Sequence, residues 1–554
     1  MMRAPTPLPH AAPTTRAPTP LPSSAPTTRA PSPLLTSARA ARASRAAFAA
    51  VVALAALPLA CAAAPPRERP PLRVDIPVRP PNGQPLDDSR ESPPPSDPAR
   101  PFPFPAPSRE RLSNGLALVG AATPAGGPVE LRLVLRAGSA ADGERTGSAV
   151  LTALLAKEGG TARLGGRETI ERAGRLGGGL RVTVDPDATT FALATPADRL
   201  GEALELLAAI AREARLDEGE FRKVKKRERS LRAQAAKTDA AWATRSLGYR
   251  ELYRLPASLH PYDSPEPNAA DLDRLTIADV RAFYKRAYTP QGASLVAVGP
   301  LDAATLRAAA DKAFAPWKGP EPPSTTASAP APEGAARVYV ADRPGAIAAH
   351  VLVATLVGDE ADAPWASLAL GLLGDRSSPG RLAETLRQRN LAAEASAELW
   401  PAAHGPRVLA LHATAPAAQA AATALALVDL LRSFEKAPPS ADDVTAARRS
   451  ALGAYERACA TTAGLATTLA RLDALGEEED FLTTLPSRLG GIDSATLTQG
   501  LVSLARGSLV VAVAGDAAQT AAPLSALGEV QVVSAERAFE RIRTVPASGR
   551  PTAP

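Results

Sequence analysis

Histidine and cysteine, the side chains that most often hold zinc or carry a nucleophile, are scarce: 5 and 2 in 554 residues. Cys61 and Cys459 have no CxxC spacing, which excludes a thiolate metal knuckle and a dithiol redox motif, and two cysteines cannot build a disulfide framework. The histidines are His10, His260, His350, His404 and His412, and no two stand at i and i+4, so no helix can present the paired imidazoles of a helical zinc site. His404 and His412 flank and enter one predicted strand and read as satisfied surface or core histidines rather than a metal pair. Acidic residues are missing from the first sixty positions, which carry Arg3, Arg16, Arg29, Arg39, Arg42 and Arg45. Those six account for the whole net charge of +6, because the remainder holds 57 basic and 57 acidic residues. Net charge therefore gives no argument for a nucleic-acid partner.

What is present is enough apolar material, 45% of the chain, to bury two ordinary domain cores. Cys459 lies in a helical stretch and reads as a small core residue. Residues 1–61 combine a Pro/Thr repeat, starting at Arg3, Arg16 and Arg29, with a basic segment, the apolar run Ala46 to Ala60, and Cys61. The repeat cannot pack a core, or it marks a start codon called too early. The apolar run is shorter than the ~20 residues of a membrane span and reads as a secretory signal. Leu57-Pro-Leu-Ala-Cys61 resembles a bacterial lipobox, in which the cysteine is lipidated, although Pro58 departs from that pattern; the alternative is an ordinary signal ending near a cysteine. Residues 62–107 are dense in proline and read as a stiff spacer.

The rest reads as one α+β plan used twice, over residues 108–318 and 337–535, with a linker at 319–336 and a tail at 536–554. In the first half Leu131, Leu133 and Leu135 alternate on one strand face, a helix runs from Gly147 to Lys157, and another runs from Glu168 to Leu176. Residues 180–195 form a hairpin turning at Asp185-Pro-Asp187, long helices cover 198–213 and 217–250, and the half closes on the strand 293–299. The second half opens on the strand 350–356 ending at Gly358, has a helix at 364–373, a strand at 407–415 and helices between 416 and 475, and closes on 508–515. Strands and helices are segregated within each half, which predicts an antiparallel sheet packed with helices.

The series Leu112-Ser-Asn-Gly-Leu, Gly138-Ser139, Gly147 leading a helix, Leu176-Gly-Gly178, His260-Pro-Tyr262, Tyr288-Thr-Pro290 and Val296-Ala-Val-Gly299 resembles, in order and spacing, the M16 (insulinase/pitrilysin, mitochondrial processing peptidase-like) peptidases. The resemblance covers about residues 108–530 and implies two homologous domains of the LuxS/MPP-like type. Active members carry His-x-x-Glu-His on the helix after that glycine, with a distal glutamate: two imidazoles on one helix face and a carboxylate bind zinc, and the central Glu activates the metal-bound water. Here those positions are Val150, Ala153 and Leu154, and the distal one falls on Leu231, so all four are aliphatic. The family also uses an arginine and a later tyrosine to touch peptide; Arg387 stands at the first place, and Glu394, or Ala393 after one deletion, at the second. Arg387 is thus a candidate substrate-binding residue, or a solvated helix charge beside Glu384.

These readings imply a non-catalytic M16 subunit, exported and lipid-anchored at Cys61 in the periplasm or cell envelope. It would pair with an active M16 subunit that supplies the zinc, hold no cofactor of its own, and help enclose unfolded peptides. Two alternatives stay open: a zinc metalloendopeptidase with an unrecognised site, and a peptide-binding scaffold lipoprotein that adds strands at a sheet edge.

Overall fold

The computed structural model describes residues 102–124, 126–255, 260–322, 336–357 and 364–548. The repeat, the signal, Cys61, most of the spacer and linker, Gly358 and the last six residues lie outside these.

The first half is built from β1 (Ser108–Arg111), β2 (Ala117–Ala122), β3 (Val129–Leu135), α1 (Ser148–Glu158), α2 (Gly166–Arg175), β4 (Arg181–Val184) and β5 (Thr189–Thr195). Helices α3 (Leu200–Glu213), α4 (Glu218–Thr238), α5 (Ala240–Leu252), α6 (Ala269–Arg274) and α7 (Ile277–Ala287) follow, then β6 (Ala293–Gly299) and α8 (Ala303–Phe314). The second half has β7 (Arg337–Asp342), β8 (Ala348–Val357), α9 (Pro364–Leu373), a short ribbon of β9 (Gly374–Asp375) and β10 (Ser378–Pro379), α10 (Arg381–Gln388), β11 (Glu394–Trp400) and β12 (Arg407–Pro416). It continues through α11 (Ala420–Ser433), α12 (Ala441–Cys459), α13 (Thr462–Ala474), α14 (Phe481–Gly490), α15 (Ser494–Arg506), β13 (Val510–Gly515), α16 (Ala517–Leu524), β14 (Val530–Ser534) and β15 (Glu540–Val545).

Taken from its edge hairpin, the first sheet runs β4-β5-β3-β6-β2-β1 and the second β11-β12-β8-β13-β7-β14-β15. The matching order is the duplication expected from the sequence. Both sheets are mixed rather than purely antiparallel, because β2 pairs parallel with β6, and β7 with β13 and β14. A parallel neighbour needs a long crossover between the two strands, and the helices of each half supply it. Strand direction leaves no mark on alternation, so periodicity could not reveal it.

Each half lends a helix to the other's sheet. Leu131, Leu133 and Leu135 of β3 pack into the first half's own core, whereas Val134 on the other face joins Val296 and Val298 of β6 against Leu465 and Leu469 of α13. On that same face Arg132 pairs with Glu130 at 2.8 Å and donates to the α13 carbonyl of Ala463. In return α5 lies on the second sheet, where Trp242 and Leu247 join Leu352, Val408 and Ala512 in one apolar cluster. Gly248 makes this approach possible: a Cβ there would come within 2.8 Å of Leu352 Cδ2 and 3.0 Å of Trp400 Cη2. The Tyr249 and Trp400 rings stack across the junction, with centroids 4.4 Å apart. Asp473 on α13, only 2% exposed, accepts from Arg109 at 2.5 Å and from Arg136 at 3.1 Å.

Several boundaries differ from the sequence reading. The span 217–250 is two helices, α4 and α5, broken at Asp239, which leaves helical geometry (φ −95, ψ 100) and caps α5 by accepting from the Trp242 N–H. The second half opens one strand earlier, on β7, and its sheet continues through β15 into residues assigned to a tail. The spacer's last part is ordered: Phe102 and Phe104 pack on the second half's core. Cys459 is buried at the end of α12, as a core residue should be, and burial pushes its thiol up.

Candidate functional site

Helix α1 exists where the sequence places it because Gly147 and Asp142 start it. Gly147 has φ of 95°, and a side chain there would meet Leu272 at 2.8 Å. The Asp142 carboxylate accepts from the Gly147 N–H at 2.6 Å and the Ala149 N–H at 2.7 Å. Burial pushes Asp142 up to about 7, while those two bonds and Arg286 pull it down. Thr152 turns inward and donates to the Val280 carbonyl of α7.

The four positions at which a zinc peptidase would hold its ligands and base are then readily located. Ala153 is fully buried, Val150 and Leu154 share a half-buried face one turn apart, and Leu231 on α4 is 56% exposed. Leu154 packs against a small core of Leu151, Leu155, Phe221 and Val224 that joins α1 to α4. The face is therefore not that of an ordinary core helix. It is an apolar surface with a buried floor and an open rim, because Leu231 continues the stripe of Phe221, Val224 and Glu228 to a point where it is left exposed.

Nothing on this surface fits a zinc ion. Aliphatic side chains offer no lone pair, and the nearby polar groups are committed elsewhere. Glu228, the buried carboxylate of α4, accepts from Arg232 at 2.9 Å, and Arg232 reaches on to Glu266. Glu158 at the end of α1 is clamped by both terminal nitrogens of Arg227, at 2.7 and 3.0 Å. Glu228 lies one turn before Leu231 and is not among the residues singled out from sequence.

The remaining residues singled out from sequence lie apart from α1. Arg387 is exposed on α10, and Glu384, proposed as its neighbour, instead accepts from Gln388 at 3.0 Å. Ala393 packs on the second core and Glu394 is exposed at the start of β11. His404 and His412 are not brought together. The His404 N–H donates to the Tyr262 hydroxyl at 3.0 Å, whereas His412 on β12 lies against His350 on β8, ring centroids 5.4 Å apart. His350 Nδ1 is 2.7 Å from the Thr244 hydroxyl of α5, and burial, with His412 beside it, lowers its pKa to about 4.

The His260-Pro-Tyr262 motif serves the junction between halves. Tyr262, fully buried, donates to Asp187 in the β4–β5 turn while accepting from His404 of the second half. Burial raises Asp187 to about 6 despite that bond. Beside this junction a cavity of about 1030 Å³ opens between the halves, bordered by β4 at the edge of the first sheet, β11 at the edge of the second, α9, α12 and α13.

Comparison with known proteins gives the arrangement its context. Residues 120–253 match the family described as insulinase (peptidase family M16), and residues 274–451 match the peptidase M16 inactive domain, together more than half of the chain. No curated protein matches. Among solved structures, a peptidase M16 inactive domain from Pseudomonas fluorescens superposes with a TM-score of 0.66 at 19% identity, over 74% of this chain and 98% of that one. A protease from Helicobacter pylori gives 0.65 at 19%, over 74% and 99%. The first half of the periplasmic protease PqqL from Escherichia coli gives 0.57 at 17%, over 76% and 96%. At such identities these structures speak for the fold alone, but the two family matches fall in sequence order on a chain already seen to repeat one plan. The chain belongs to the M16 peptidase family.

Proposed function

We propose that this chain is a non-catalytic M16 subunit, exported from the cytoplasm and lipid-anchored at Cys61. In this reading it pairs with an active, zinc-bearing M16 subunit and completes a chamber around unfolded peptide. One observation carries the reading: the frame around α1 and α4 is complete, with its cap, its glycine and its packing, while Val150, Ala153, Leu154 and Leu231 cannot coordinate a metal. A scaffold kept whole after its ligands are gone still has a use for its shape. Export is supported by the basic-then-apolar leader ending at Cys61 and by the likeness in fold to a periplasmic protease.

The test is co-purification of the mature protein with His-x-x-Glu-His proteins encoded beside it. The expected result is a stoichiometric pair whose peptide hydrolysis stops on chelation and is absent from this chain alone. Stoichiometric zinc and chelator-sensitive cleavage by the isolated chain would overturn the proposal in favour of an active enzyme. The anchor is tested separately: Cys61→Ser is expected to move the protein from the membrane fraction to the soluble fraction.

A scaffold acting without a catalytic partner is the second reading. It is favoured by the two sheet edges, β4 and β11, that border one cavity and leave backbone groups free to pair with an added strand. Self-assembly with no zinc-bearing companion would select it.

A further inference from the structure

The cavity between the halves is lined by seven arginines and only three carboxylates. Each carboxylate is already engaged. Glu477 pairs with Arg407, Glu398 with His412, and Asp375 accepts from the Ser377 and Ser378 amides of its own turn. Some arginines are engaged too: Arg132 is buried on Glu130, and Arg245 sits on Glu266 at 2.6 Å. Three are not. Arg181 on β4, Arg376 in the β9–β10 turn and Arg471 on α13 form no ion pair among the described residues, although all three face the cavity's wall or rim.

Like charges gathered at one concavity repel each other, and the repulsion is relieved when an anion enters. The guanidinium is matched to carboxylate in particular, because its planar fork offers two parallel donors to two oxygens. Between the arginines the floor is apolar, with half-buried Leu370 of α9, Leu399 of β11 and Tyr455 of α12 turned to the space. The volume of about 1030 Å³ is at the upper end of small-molecule pockets, roughly 300–1,000 Å³, and admits several residues of extended chain. A free carboxylate alone would leave the floor uncovered, and a neutral apolar peptide would leave three guanidinium groups unmatched.

We infer that this cavity binds a short peptide segment in which acidic and apolar side chains alternate, with its carboxylates on Arg181, Arg376 and Arg471 and its apolar groups on Leu370, Leu399 and Tyr455. The two sources of charge lie in different halves, Arg181 in the first and Arg376 and Arg471 in the second, so the ligand spans the junction. The inference rests on the proposed peptide-holding role for the kind of ligand but needs no partner subunit, so it can be tested on this chain alone.

The experiment is calorimetry of the purified mature chain with three short unlabelled peptides that alternate leucine with glutamate, glutamine or lysine. The glutamate peptide is expected to bind at least tenfold more tightly than the glutamine peptide, to weaken as salt screens the charges, and to exceed the lysine peptide by more still. The triple variant Arg181→Gln, Arg376→Gln, Arg471→Gln is expected to lose that tenfold preference. A control triple at Arg167, Arg222 and Arg537, exposed residues elsewhere that change net charge equally, is expected to keep it. Equal binding of all three peptides, or an unchanged preference in the cavity triple, overturns the inference and leaves peptide holding intact. Failure of every peptide to bind overturns both. Far-UV circular dichroism confirms that the exposed substitutions leave the fold unchanged.

Discussion

Because each half lends a helix to the other's sheet, the two halves should unfold as one, and Trp400 tests this. Its side chain is 3% exposed and stacks on Tyr249, which belongs to the other half. Burying an indole removes about 200 Å² from water, and at about 25 cal/mol per Å² that is about 5 kcal/mol. Truncating such a side chain in a core costs about 3–5 kcal/mol. Trp400→Ala should therefore lower stability by about 4 kcal/mol, and the whole loss should appear in both halves. The chain provides its own reporter, since among the described residues Trp317 packs in the first half's core. With Trp242→Phe, Trp365→Phe and Trp400→Phe as the reference, Trp317 is the one indole left, and its fluorescence follows the first half in urea while far-UV circular dichroism follows the whole. The expected result is one transition by both probes, moved equally by Trp400→Ala although residue 400 lies in the second half. If the Trp317 midpoint stays put while the circular dichroism curve splits in two, the exchange of helices does not couple the halves and the reasoning fails.

His350 is held neutral in the folded state, with its pKa lowered from 6.5 to about 4 by burial and by His412. The unfolded chain takes up a proton near pH 6.5 and the folded chain does not, so stability is full above that value and falls as pH drops towards 4. At about 1.4 kcal/mol per pH unit the loss approaches about 3 kcal/mol; His350→Gln should remove this slope in urea titrations between pH 7 and 4.5. Asp187, raised to about 6, acts in the opposite direction and is present in both proteins, so the difference isolates His350. Asp473→Ala should cost about 2 kcal/mol in the same assay, because it removes the carboxylate that Arg109 and Arg136 share at the junction and leaves Arg109 only Glu479; a loss below about 1 kcal/mol would mean that both arginines escape to water. Restoring ligands by Val150→His, Leu154→His and Leu231→Glu should give one calorimetrically detectable zinc per chain, since those positions are half-buried or exposed. Ala153→Glu should by itself lower stability by at least about 2 kcal/mol, because residue 153 has no exposure to receive a charge.

How much of this was legible beforehand follows from what each residue's neighbours are. Contacts local in sequence left clear marks. The leucine alternation of β3, the Gly147 start of α1 and the turn at Asp185-Pro-Asp187 all came out as read, since each depends on a few adjacent residues and a fixed backbone geometry. The break between α4 and α5 was lost because Asp239 looks like one more polar residue on a charged helix face; its role as a cap shows only where α5 must bend to reach the second sheet. β7 was missed because its partners β13 and β14 are far away in sequence, whereas β11 and β15 pair with the strands next to them and were missed because a strand of mixed pattern is chosen by its neighbours more than by its own propensity.

The four aliphatic positions show the same division between local and distant information. Their identities could be read directly, and with them the loss of any group able to bind zinc. Their exposures could not, because burial is set by neighbours distant in sequence: Ala153 has no exposure, whereas Leu231 is 56% exposed. An alanine behind a rim of larger residues is what remains when a catalytic base is no longer needed and the helix must still pack. An exposed leucine brings no such benefit to an isolated chain, since water meets more than half of it. That asymmetry separates the two readings of the protein. If α1 and α4 face a second subunit, Leu231 is covered in the pair, and Leu231→Glu should weaken the pair while leaving the isolated chain's urea midpoint unchanged. If the chain works alone, the same substitution should change neither.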